Sequence, residues 1–107
     1  MANPYAGEVA LVLGGEGCVM RLTLGALAEM EAALGADSLV ELVTRFEEGR
    51  FSSRDVLAVI VAGLRGGGWE GQPSDLLTVE IEGGPVAAAR AAAQLLARAF
   101  ALPGEAG

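Results

Sequence analysis

Two glycine clusters, a few neighbouring carboxylates and one thiol are the residues of this chain whose types and spacing invite chemistry. Gly14-Gly15-Glu16-Gly17 is dense enough to cradle a phosphate. It lies between two β-rich runs, however, whereas the dinucleotide fingerprint needs a strand before it and a helix after it. Gly66-Gly67-Gly68 follows a helical pattern and lacks the lysine and hydroxyl residue with which a phosphate loop reaches its ligand and magnesium. Both clusters therefore read as turn and cap glycines. Glu47-Glu48 and the pair Glu80 and Glu82 have the right chemistry for proton exchange. Nothing beside them would fix a substrate, and such runs ordinarily face water. Cys18 falls in a predicted strand, where a small buried thiol is favoured over a reactive one.

The missing residue types carry more weight. Histidine and lysine are absent and cysteine occurs once. That removes most metal sites, the Ser-His-Asp and Cys-His nucleophile systems, Schiff-base chemistry and any intrachain disulfide. Tyr5 stands alone near the N-terminus. The expectation is a protein that is not an enzyme, takes no cofactor or metal, and works by binding other proteins. A lone cysteine suits a reducing, cytoplasmic setting. The first residues have neither the basic nor the apolar stretch of an export signal, and no apolar run is long enough to span a bilayer.

The formal charge is −7, and all seven basic residues are arginines scattered along the chain. This repels a phosphate backbone and argues against nucleic-acid binding. The acidity serves either as a solubilising surface or as a field that steers a basic partner.

The elements that must position these residues follow from periodicity. The length of 107 residues suits one domain, with 2–101 as its ordered core and 102–107 as a tail. Residues 7–13 and 18–24 are β-rich and joined by the four residues Gly14–Gly17, which predicts a hairpin. Val9, Leu11 and Leu13 share one face, as do Met20, Leu22 and Leu24. A first helix runs from Gly25 to Leu34 with Leu27, Met30 and Leu34 on its apolar stripe. Glu31 lies at the edge of that stripe, either reaching water or buried as a functional acid. Ser38 and Glu41 form a capping-box signal before a second helix, with Leu39, Leu42, Val43 and Phe46 on one face and the pair Glu41 and Arg45 on the wet side. Ser52 and Asp55 repeat the signal before a third helix, which is apolar almost all round and so belongs in the middle of the domain. Residues 74–82 are ambiguous: Leu77, Val79 and Ile81 alternate as in a strand, while Ser74 and Asp75 suit a helix start. Gly83-Gly84-Pro85 then opens a last helix to about Ala101. The predicted fold class is α+β, an N-terminal β-hairpin packed on a bundle of four to five helices.

The last helix has two apolar sides. Val86, Ala89, Ala93, Leu96 and Phe100 form the expected core stripe, and Arg90, Gln94 and Arg98 a polar ridge. Ala88, Ala91, Ala92, Leu95, Ala99 and Leu102 lie on another side. This side either contacts the third helix or docks a partner, because small side chains let another backbone approach closely. With Trp69, in the loop to Pro73, these residues are the candidate partner-binding set.

The order of motifs resembles a known family. The run Ala2–Val9, the segment Leu22–Glu31, Gly35–Leu39, Arg45-Phe46-Glu47, Ala62–Gly68, and Ile81–Pro85 leading to Ala97–Phe100 are similar to the small tail proteins of bacterial gene transfer agents. These are domesticated phage-like particles, and the proteins are grouped with phage tail assembly chaperones or described as tail tube proteins. The resemblance implies a chaperone that binds the tape-measure protein, tail tube subunits or both during tail morphogenesis. The alternative it implies is a structural tube or connector component retained in the mature particle. It transfers no catalytic residue and tips residues 74–80 toward a short helix.

Overall fold

The hairpin forms with a tighter turn than the glycine run suggests. β1 (Val9–Leu13) pairs antiparallel with β2 (Glu16–Met20), with Val9 opposite Met20, Leu11 opposite Cys18 and Leu13 opposite Glu16. The computed structural model in which this is seen describes residues 7–34 and 39–100. Only Gly14 and Gly15 form the connection, at φ +57° and +82°. A two-residue turn of this hand needs positive φ at both central positions, which glycine adopts without steric penalty. Glu16 and Gly17 therefore belong to the strand, a correction to the four-residue connection.

Val9, Leu11, Leu13 and Met20 are buried as their alternation requires. The second strand stops at Met20, and the Thr23 hydroxyl accepts the Ala26 N–H at 3.0 Å, capping α1 (Leu24–Leu34). Leu24 thus falls on the first helical turn and is exposed rather than aligned with Met20. Ala26 and Met30 bury the inner face of α1, and Glu31 is exposed. α2 (Leu39–Glu47) buries Leu42 and Phe46, and the Phe46 ring stacks on Phe51 with centroids 4.6 Å apart. The cap expected at Ser38 lies outside the described residues.

α3 (Ser53–Gly66) occupies the centre, as its all-round apolarity demands, and packs against α1, α4 and β2. Its N-terminus has the full reciprocal box: the Ser52 hydroxyl accepts the Asp55 N–H, and the Asp55 carboxylate accepts the Ser52 N–H. Asp55 is also gripped by both arms of Arg45, at 3.2 and 3.1 Å. Arg45 remains within 3.6 Å of Glu41, but its main partner is across the loop, not along its own helix. Asp55 is only 7 % exposed. Burial alone would raise its pKa, but the Ser52 backbone bond, the Arg45 bond and charge and the Ser52 hydroxyl outweigh burial and lower it from the ordinary 3.8. A depressed folded value means that stabilisation is complete above the unfolded pKa and is lost as pH falls through the folded one. Asp55→Ala should cost about 2–3 kcal/mol at pH 7, from the lost cap and the lost ion pair with Arg45. The gap from wild type should begin to narrow below about pH 4 and go on narrowing as pH falls through the folded pKa, as urea titrations at pH 7 and pH 2.5 would measure.

The ambiguous segment resolves into both alternatives in turn. Pro73–Leu76 is a short 3-10 helix, and Ile81 then forms an antiparallel bridge to Leu13. α4 (Gly84–Ala99) packs on α3, β1 and α2. Its buried residues are Ala88, Ala91, Ala92, Leu95 and Leu96. The expected stripe is corrected except at Leu96: Val86 is 67 % exposed, Ala93 and Phe100 are exposed, and Ala89 is half-buried. The helix is rolled so that its alanine face meets the core, where close approach is possible.

Candidate functional site: an apolar groove between α3 and α4

The roll of α4 decides which surface is left over. Ala88, Ala91, Ala92 and Leu95 are core residues, 4 %, 4 %, 0 % and 1 % exposed; of the two roles open to this side, contact with α3 is the one they take, and they are not available as a docking face. A Cβ on Gly63 would lie 2.7 Å from Leu95 Cδ1, so the missing side chain on α3 is the notch that Leu95 fills. Ala99 is half-buried. Trp69 is half-buried against the core, with its ring over Gly71. Leu102 lies outside the described residues. The candidate set is thus not brought together as one surface.

What remains open is a groove of about 580 Å³ between α3, the 3-10 helix, the Ile81 bridge and the start of α4. Phe51, Val56, Leu57, Ile60, Leu76, Leu77 and Ile81 supply its apolar lining. Arg54 is the charged residue among those that line it. The elements explain why the groove exists. The 3-10 helix is too short to cover α3, and Leu77, just beyond it, is 70 % exposed at the groove edge. Leu77 thereby extends the apolar surface of the groove beyond its walls. Its sequence signal was the alternating run Leu77, Val79, Ile81. That run alternates as in a strand while Ser74 and Asp75 suit a helix start, and neither reading points to an open groove, so the groove was missed.

The thiol and the carboxylates with chemical potential lie apart from this groove. The Cys18 thiol donates to the Glu16 carbonyl at 3.6 Å. Burial, then the Glu16 carboxylate, raises its pKa, which disfavours the nucleophilic thiolate. Glu47, Glu48, Glu80 and Glu82 are exposed, and Glu48 pairs with Arg50 at 2.7 Å. Among the described residues, no three carboxylate or thiol groups are placed to hold a metal ion. Among them too, no helix is long and apolar enough to cross a membrane.

The model of the family described as phage tail tube protein, GTA-gp10, matches residues 6–102. The chain belongs to this family. Nothing among curated proteins or solved structures matches it. As a member of the GTA-gp10 family it is a tail-related protein of phage-like, gene-transfer-agent particles, and the matched span includes both walls of the groove.

Proposed function

We propose that the chain is a non-catalytic tail assembly chaperone that holds an amphipathic helix of the tape-measure protein in the α3–α4 groove until tube subunits polymerise around it. The observation that carries this reading is the groove itself: open, apolar, and bordered by the exposed Leu77. A helix laid into such a groove buries anchors at i, i+3 or i+4 and i+7, the spacing that a long helical protein repeats along its length. Arg54 at the margin would pair with a carboxylate on the polar side of that helix.

A second reading, a tube or connector subunit retained in the particle, is favoured by the family's description as a tail tube protein. Among the described residues, two five-residue strands and one bridge offer little of the continuous sheet from which a tube wall would be built, so the chaperone is preferred.

Quantitative mass spectrometry of purified particles separates the two. The chaperone is expected to be absent from mature tails and to co-purify with the tape-measure protein during assembly. Stoichiometric copies in mature tails would establish the second reading instead. Leu77→Asp, at an exposed position, should leave folding intact and weaken tape-measure capture about tenfold or more. Undiminished capture would remove the groove from the proposal.

A further inference from the structure

The hairpin has an edge that the fold leaves half used. Leu13 and Glu16 flank a two-residue turn, so Val9, Leu11 and Leu13 direct their N–H and C=O groups to β2, and Ala10 and Val12 direct theirs outward. The hydrogen bonds agree: Glu82 N–H donates to the Val12 carbonyl at 3.0 Å, and Gly14 N–H donates to the Glu80 carbonyl at 2.7 Å. At the other end the Arg98 guanidinium donates to the Glu8 carbonyl. Between these closed ends, the Ala10 N–H, the Ala10 carbonyl and the Val12 N–H have no backbone partner among the described residues. Gly83 and Gly84, at φ +87° and +72°, turn the chain away from this edge immediately after the Ile81 bridge.

The space thus left is a cleft of about 390 Å³ between β1 and α4. Ala87 and Ala91 on its α4 wall are small enough for a second backbone to enter, and Gln94 and Arg90 stand beside them. Arg90 is exposed and forms no ion pair among the described residues. Natural edge strands are usually blunted by lysine, proline or an inward charge; Ala10-Leu11-Val12 has none of these.

We infer that this edge of β1 is a docking site for an extended segment of another protein, which adds as a strand across Ala10 and Val12 and places an acidic side chain on Arg90. Backbone bonds supply the affinity and the α4 wall the selectivity, as in other strand additions. The occupant presents small residues and one carboxylate toward α4, and apolar residues to the outer face, where Val12 and Val19 are half-buried. A second copy of this chain is the poorer occupant, because each copy carries a charge of −7 and like charge opposes association. The site is separate from the α3–α4 groove and does not depend on the role proposed for it.

The test uses the isolated full chain, isotope-labelled, titrated to millimolar concentration with a capped peptide of about seven residues. The peptide alternates valine with small residues and carries one central aspartate. Saturable shifts centred on the Ala10 and Val12 amides, with slowed hydrogen exchange there, are expected. Ala10→Pro removes an outward N–H and leaves the β1–β2 ladder whole, so it should weaken binding about tenfold. Arg90→Glu should also weaken it, and a peptide with lysine in place of aspartate should restore binding to that variant. Absence of shifts at Ala10 and Val12, or undiminished binding by both variants, would overturn the inference. So would a concentration-dependent dimer of the chain paired through its own β1 edge.

Discussion

Leu95→Glu is expected to abolish the cooperative unfolding transition of the free protein. Leu95 is 1 % exposed and sits in the Gly63 notch of α3. Truncating such a leucine costs about 2–5 kcal/mol, and stranding a carboxylate in its place adds several kcal/mol more. Together these approach or exceed the roughly 5–15 kcal/mol that holds a domain folded. A thermal melt followed by far-UV circular dichroism checks this directly. Near-UV dichroism of Trp69, which packs against the same core, should vanish as well. Leu95→Met, nearly equal in volume, should cost under about 1.5 kcal/mol. A normal melt for Leu95→Glu would mean that α4 presents this side to solvent.

Gly66→Ala is expected to be the next most damaging change, for a reason of space alone. A Cβ at Gly66 would lie 1.8 Å from the Arg21 carbonyl oxygen, and one at Gly67 would lie 2.1 Å from that of Val19. The obstacle in both cases is backbone, which cannot swing aside as a side-chain end would. The approach is tied down by Arg21 N–H donating to the Gly63 carbonyl at 2.8 Å. Parting the end of α3 from the chain leaving β2 should cost about 3 kcal/mol or more. In a domain of this size that lowers the melting temperature on the order of 15 °C. Gly17→Ala is the control: nothing lies within 4 Å of its Cβ and its φ is not positive, so its melting temperature should be little changed or slightly raised. Equal melting temperatures for Gly66→Ala and Gly17→Ala would show that the contact between α3 and β2 is loose.

These glycines mark how far local pattern carries. Gly66-Gly67-Gly68 read correctly as the end of a helix, since α3 stops at Gly66. Gly66 and Gly67 also admit the backbone of Arg21 and Val19, at and just past the end of β2, a contact between residues over forty apart that no local signal records. The capping box of Ser52 and Asp55 was legible because its partners are three residues apart. The grip of Arg45 on Asp55 was not, because the i,i+4 rule offered Glu41 as a nearer partner. Residues 74–82 were undecided between strand and helix because they hold a short piece of each, too brief for either period to show.

Periodicity and end signals were enough for the α+β class, the hairpin, the buried face of β1 and the central place of α3. In β1 apolar and polar residues alternate strongly enough for one face to be the cheaper one to bury, and α3 has almost no polar face to leave in water. In α4 they do not. Alanines stand on most sides of that helix, so burying one side or another differs little in transfer free energy. The choice falls to the shape of what it meets: the Gly63 notch takes Leu95 and rolls the helix by its fit. That roll decided between the two roles open to the alanine side, making it core. The candidate site then lies in the groove lined from α3, the 3-10 helix, the Ile81 bridge and the start of α4, residues distant in the chain and brought together only by folding.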